Sequence, residues 1–202
     1  MFYPNRRLEK KLFYQGHKLV AGVDEVGRGA WAGPLVAAAV ILNPEIKIRG
    51  IKDSKLLRQS DRQELSQQII SQAVSWSIGL VDWATIDKFG LTKANDLALQ
   101  QAVSNLKIKP DYILLDGKRK VLFELPTDAI IDGDYKITCI AAASIVAKVF
   151  RDELMSQLDE YYPAYGFKQH KGYGTAQHFS MLVKYGPCRL HRRSFKPMKN
   201  LV

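Results

Sequence analysis

The chain has only two cysteines in 202 residues, Cys139 and Cys188, far apart and without a CxxC arrangement. That argues against a disulfide framework or a zinc site and suits two reduced thiols in a cytosolic protein. A long apolar run is also lacking. The longest, Leu35 to Leu42, falls far short of the roughly 18 to 20 residues a membrane span needs, so no membrane partner is expected. Arg6, Arg7, Lys10 and Lys11 near the N-terminus are not followed by an apolar core, so no secretory signal is read and a cytoplasmic location is expected. Internal repeats and low-complexity linkers are absent too. The most informative absence is at the other end: from Tyr161 to Val202 there is no Asp or Glu.

That acid-free segment holds Lys168, Lys171, Lys184, Arg189, Arg192, Arg193, Lys196 and Lys199, on a chain of net charge +10. A basic end on a near-neutral body points to an anionic polymer as partner. Tyr161, Tyr162, Tyr165, Phe167, Tyr173, Phe179, Tyr185 and Phe195 are interleaved with the charge, which a merely solvated tail would lack. Two readings stand: contact with nucleic acid, or a packed basic lobe with no ligand. The composition boundary at Tyr161-Tyr162-Pro163 divides the chain into residues 1–160 and a C-terminal lobe, 161–202.

The body reads as mixed α/β, a size that fits one domain or one domain with an appendage. Lys18 to Glu25 and Leu35 to Leu42 are expected strands, apolar on both faces as a covered sheet centre requires. Ser60-Asp61-Arg62-Gln63 predicts a capping-box helix start, with Leu65, Ile69 and Ala73 on one face. Val74 to Val81 alternates as a third strand. Thr92 to Leu106 is a second helix, with Leu99, Ala102, Val103 and Leu106 inward. Tyr112 to Leu115 is a short strand that ends in Asp116-Gly117. Ile140 to about Glu160 is a long helix with an apolar stripe of Val146, Val149, Phe150 and Leu154.

The chemistry lies in the acids. Asp24 and Glu25 end one apolar run, and Gly27-Arg28-Gly29 follows at once; Asp116 ends another, and Asp134 sits just before the long helix. Ligands bind at strand ends of an α/β sheet, so distant acids can converge there. One such acid is more often a turn former or cap. Several together repel unless cations neutralise them, which favours bound Mg²⁺ or Mn²⁺. Neighbouring strand residues face opposite ways, so either the turn at Val26-Gly27 breaks the alternation or one of Asp24 and Glu25 is structural.

The ordered set Gly22-Val-Asp-Glu-Val-Gly-Arg-Gly29, Asp53-Ser-Lys-Leu56, Leu115-Asp-Gly117, Gly133-Asp134 and Ile140-Ala-Ala-Ala-Ser-Ile-Val-Ala-Lys-Val149 carries a resemblance. Arg151-Asp152, Tyr165-Gly-Phe167, His170-Lys-Gly-Tyr-Gly-Thr175, Gly186-Pro187 and His191-Arg-Arg-Ser-Phe195 extend it. Together they resemble ribonuclease HII from about Lys18 to Pro197. The resemblance implies an RNase H-like fold: a mixed five-stranded sheet flanked by helices, with a C-terminal helical lobe that grips the duplex. It implies hydrolysis of RNA in RNA–DNA hybrids and nicking 5′ of ribonucleotides embedded in duplex DNA, by a monomer using two Mg²⁺ or Mn²⁺ ions. Asp24, Glu25, Asp116 and Asp134 match the family's metal-binding acids. Gly27, Arg28 and Gly29 match the loop that reads the 2′-hydroxyl, and Tyr173 the tyrosine that stacks on the junction sugar. Cys139 stands where serine is expected.

Further residues keep open readings. Arg28 reaches a phosphate or is a surface arginine in a turn; Lys55 reaches a phosphate or is simply solvated. Ser144, Lys148 and Arg151 line the groove or form a wet helix face. His170, His178 and His191 are structural or touch phosphate rather than transfer protons. A ribonuclease HIII would carry a sizeable N-terminal domain, and only 23 residues precede Asp24 here. A non-catalytic hybrid-binding module would not need converging acids.

Overall fold

The computed structural model describes residues 3–118 and 121–200. Its centre is a five-stranded sheet in the order β3-β2-β1-β4-β5, formed by β1 (Val20–Val26), β2 (Leu35–Ile41), β3 (Ser75–Val81), β4 (Tyr112–Asp116) and β5 (Thr127–Ile130). β1 pairs antiparallel with β2, and β2 with β3; β1 and β4, and β4 and β5, run parallel. The sheet is mixed, as expected. Three neighbouring strands therefore end at one edge, and the crossovers that parallel pairing requires place helices on both faces.

Eight α-helices are described: α1 (Arg7–Tyr14), α2 (Gln59–Gln72), α3 (Trp83–Phe89), α4 (Leu91–Ser104), α5 (Gly133–Lys136), α6 (Thr138–Tyr161), α7 (Phe167–His170) and α8 (Ala176–Tyr185). One face of the sheet, with Val36, Ala38, Val40 and Leu114, packs against α6 and α2. The other, with Ala21, Val23, Ala37, Ala39, Ile113 and Leu115, packs against α4. Ile113 and Leu115 are essentially fully buried, each worth about 1.5–3 kcal/mol of burial. Gly22 lets α6 come this close: a Cβ there would lie 2.1 Å from the Cys139 carbonyl carbon. Cys139 is buried and Cys188 half-buried, and both are free thiols.

Several local expectations need correction. The capping box does not form. α2 begins at Gln59 after Arg58, with no side-chain cap, and Ser60 Oγ donates to Asp61 Oδ1 instead (3.3 Å). Arg62 reaches back to the Ser54 and Leu57 carbonyls, tying the helix start to the preceding turn. Phe150 is exposed and Leu154 half-buried, because the buried side of α6 is a nearly continuous run from Cys139 to Ala147 rather than the expected stripe. β5 escaped the sequence reading because all four of its residues are half-buried at a sheet edge, leaving no period to see.

Beyond α6, the chain builds a third apolar cluster from Tyr165, Phe167, Leu182, Leu190 and Met198 around Ala32 and Met155. Tyr165 and Phe167 stack at 5.4 Å and 6° inside it, so part of the aromatic content is core. Tyr161, Phe179 and Tyr185 remain exposed.

Candidate active site

The parallel pairing of β1 and β4 brings the acids together. Its register runs to Val23↔Leu115, so the next residues, Asp24 within β1 and Asp116 at the end of β4, lie side by side on the α6 face. β5 lies parallel beyond β4, and the chain leaving it turns through Asp132, in the left-handed region at φ 54, to present Asp134 at the start of α5. The Gly133 amide donates to Asp116 Oδ1 at 2.6 Å and fixes that carboxylate toward the same edge.

The turn at Val26-Gly27 does not break the Asp24-Glu25 alternation. β1 stays regular, its pairs with β2 continuing through Glu25↔Ala37 to Val26↔Val36. Asp24 lies on the α6 face and accepts from the Glu25 amide at 2.8 Å. Glu25 continues the opposite face, where β1 runs on past the last residue of β4, and its charge still acts on both Asp24 and Asp116. Burial holds the Asp24 carboxyl well above the usual carboxylate range; Glu25, Asp116 and Asp134 add to this, and a Ser144 hydrogen bond opposes it. Burial likewise raises Asp116, with Glu25 adding and the Gly133 amide opposing. It raises Asp134 too, with Asp116 adding and Lys55 opposing.

Two cations pair with this cluster. Arg28 Nη1 lies 3.0 Å from Glu25 Oε1, and Lys55 Nζ lies 3.5 Å from Asp134 Oδ2. Both cations are exposed. Asp53, nearly fully buried, accepts from the Lys55 amide and caps the turn that carries this lysine. Ser144 faces inward and shares a hydrogen bond with Ser54 (3.1 Å).

The loop between β1 and β2 is held by two buried arginines. Arg151 donates to the carbonyls of Ala32, Pro34 and Lys171; Arg192 donates to those of Arg28 and Gly33. Both are fully buried, so Arg151 belongs neither to a wet helix face nor to an open groove, and Arg192 presents no charge to a partner. Arg192 counts among the charges of the basic C-terminal segment, and its burial leaves no trace in the sequence because the bound carbonyls lie in a distant loop. Tyr173 closes the same region: its backbone bridges Ala30, and its ring lies 5.1 Å from the Arg151 guanidinium and 5.6 Å from Lys148 Nζ. Lys148 is tied to Asp152 at 2.6 Å, and Arg62 approaches the same carboxylate. Burial lowers the Lys148 ammonium against that pairing.

His170, His178 and His191 are all buried, which removes the phosphate-contact reading. Asp24 and Asp134 are buried, and Glu25 and Asp116 half-buried. A cleft lined by Glu9, Phe13, Tyr14 and His17 lies at the other end of β1, beside Val20.

Among the described residues, no three Asp, Glu, His or Cys side chains are arranged to hold a metal ion. The donor set still fits a hard divalent cation. Its members are carboxylates at one edge, and burial together with mutual repulsion makes their negative charge costly until positive charge arrives.

The mixed five-stranded sheet flanked by helices, with carboxylates on neighbouring parallel strands, agrees with the ribonuclease H-like α/β fold that the resemblance implies. A family model described as Ribonuclease HII matches residues 21–198. Curated relatives named ribonuclease HII include one from Nitrosococcus oceani, 50% identical with 91% of each chain covered. Another, from Caldicellulosiruptor saccharolyticus, is 44% identical, with 96% of this chain and 94% of that one covered. The crystal structure of ribonuclease H2 from Pyrococcus horikoshii matches with a TM-score of 0.78 at 27% identity, covering 91% of this chain and 97% of that one. The chain belongs to the ribonuclease HII family.

Proposed function

We propose that this protein is a cytoplasmic, monomeric endoribonuclease. It hydrolyses the RNA strand of RNA–DNA hybrids and nicks 5′ of ribonucleotides embedded in duplex DNA. The observation that carries the reading is the convergence of Asp24, Glu25, Asp116 and Asp134 at one sheet edge, beside a clamped glycine loop. These four acids are the proposed ligands of two Mg²⁺ or Mn²⁺ ions. When bound, such ions activate the attacking water and stabilise the departing oxygen.

The chain's own residues do the rest. Ser144 and the Glu25 amide orient Asp24; the Gly133 amide orients Asp116. Gly27, Arg28 and Gly29 present main-chain groups to the 2′-hydroxyl, the group that distinguishes RNA from DNA. Tyr173 stacks on the adjacent sugar. Arg28 and Lys55, whose own side chains are exposed, exchange their largely buried carboxylate partners for phosphate oxygens. Lys148 supports Tyr173 from beneath. Residues 1–160 form the catalytic unit, and 161–202 the lobe that holds the duplex. No helix among the described residues is long and apolar enough to cross a membrane.

A duplex carrying one ribonucleotide is expected to be nicked on the 5′ side of that residue with Mg²⁺ or Mn²⁺ and left intact in EDTA. Gel analysis of end-labelled strands reads the result. Intact duplex in both conditions would sink the enzyme, and metal-independent binding without cleavage would favour a hybrid-binding module.

A further inference from the structure

The three histidines beyond α6 do not stand apart from the proposed site. His178 Nε2 lies 2.9 Å from His191 Nε2, His178 Nδ1 lies 2.9 Å from the Tyr173 carbonyl oxygen, and His191 Nδ1 lies 2.9 Å from the Cys188 amide nitrogen. His170 stacks on His178 at 4.3 Å and 13°, while its own carbonyl accepts the Tyr173 amide. Trp31 and Phe167 enclose the His178 ring.

The partners dictate where each proton sits. A neutral imidazole has one donor and one acceptor nitrogen. The Cys188 amide can only donate, so His191 Nδ1 must accept, and its proton is on Nε2. The Cys188 carbonyl, farther off at 3.3 Å, does not change this, because a proton on Nδ1 would face the amide hydrogen. The Tyr173 carbonyl can only accept, so His178 Nδ1 donates and its Nε2 is bare. The two assignments meet without conflict. His191 Nε2–H donates to His178 Nε2, and the chain runs one way, from the Cys188 amide to the Tyr173 carbonyl.

We propose that His178 and His191 are positioning residues for substrate recognition. Their oriented relay fixes the Tyr173 peptide, and with it the pose of the ring against the sugar at the ribonucleotide junction. The inference rests on the proposed stacking role of Tyr173. The Tyr173 backbone also bridges Ala30, next to Gly29, so the relay sets the tyrosine and the glycine loop against one another. An extra proton on either ring would put two N–H groups head to head. Burial lowers both rings to about 4, which keeps the relay neutral in ordinary buffers. The other titratable or charged groups facing it are His170, Tyr165, Cys188 and Arg193, with Asp159 acting on His170.

The test compares steady-state cleavage of a single-ribonucleotide duplex and a continuous hybrid by wild type, Tyr173→Ala, His178→Ala and His178→Asn. His178→Ala is expected to lower kcat on the single-ribonucleotide duplex roughly tenfold, with a much smaller loss on the hybrid and little change in KM. His178→Asn keeps an N–H near the Nδ1 position and should restore most of the loss. Equal losses on both substrates, or no rescue by Asn, overturn the relay while selective loss in Tyr173→Ala keeps the tyrosine's role. An unselective Tyr173→Ala overturns both. Should His178→Ala fail to fold, the asparagine variant and the wild-type tautomers decide. Nitrogen NMR shifts are expected to show Nδ1–H for His178 and Nε2–H for His191, and the reverse for either ring overturns the proposal.

Discussion

Asp24→Asn is expected to abolish cleavage and, in the same protein, to raise the melting temperature measured in EDTA at pH 8. The loss of activity should be at least about 10²–10³-fold, the range for removing one group that stabilises charge in a transition state. The gain in stability follows from the carboxyl's surroundings. Asp24 is buried and faces Glu25, Asp116 and Asp134, and all of these influences hold its proton affinity above the unfolded value. A folded carboxyl with a raised pKa binds a proton longer than the unfolded chain does, so stability falls as pH rises above the unfolded value near 4. Asparagine has no such charge, and its amide can donate to the neighbouring carboxylates. The variant's advantage should therefore vanish near pH 4 and grow toward pH 8, where roughly 1 kcal/mol would appear as a rise of about 2–4 °C. Adding Mn²⁺ should reverse the order, raising the wild-type melting temperature and leaving the variant nearly unmoved. Thermal melts across pH, with and without the ion, read all of this. A variant less stable than wild type in EDTA at pH 8 would show that Asp24 is built in for the fold rather than for an ion.

The sequence made the acids legible because each ends an apolar run or opens a helix, and parallel strands must end side by side. It could not show that β1 runs on regularly past the last residue of β4, which puts Glu25 on the face opposite Asp24, a matter of register between distant segments. Charge was legible as a count and not as a surface. Arg192 reads as part of a basic face, but it is buried against the Arg28 and Gly33 carbonyls. Arg151 hides in the same way on a helix whose polar residues look solvent-facing. The edge strand β5 left no trace, because half-burial on both faces erases alternation. What sequence pattern misses here are the contacts that tie the C-terminal segment to the loop after β1, and those contacts separate residues that look equivalent in the string.

Gly27 and Gly29 are such a pair, and alanine at each should do opposite things. Gly27 has φ +91, and a Cβ there would sit 2.3 Å from Arg151 Nε, the nitrogen bonded to the Pro34 carbonyl. Arg151 cannot step aside cheaply, since it is fully buried and its guanidinium also holds Ala32 and Lys171. Gly27→Ala must strain the loop or free a buried cation from its acceptors. Roughly 2–4 kcal/mol is expected, the scale for such mechanisms, with a melting temperature lower by roughly 5–10 °C. Activity falls with the fold, on every substrate alike. Gly29 has no such constraint: its φ is ordinary and a Cβ would meet nothing within 4 Å. Gly29→Ala should melt within about 0.5 kcal/mol of wild type. If the open space beside Gly29 is where the ribonucleotide's 2′-hydroxyl is read, the added methyl displaces the substrate, and cleavage should fall roughly 10²-fold, as a displacement of about 1 Å can cost. Calorimetry and single-turnover cleavage on the two variants separate the cases. Full activity in Gly29→Ala would remove that glycine from the recognition loop, leaving Gly27 as a requirement of the Arg151 clamp and Arg28 as the loop's remaining contact.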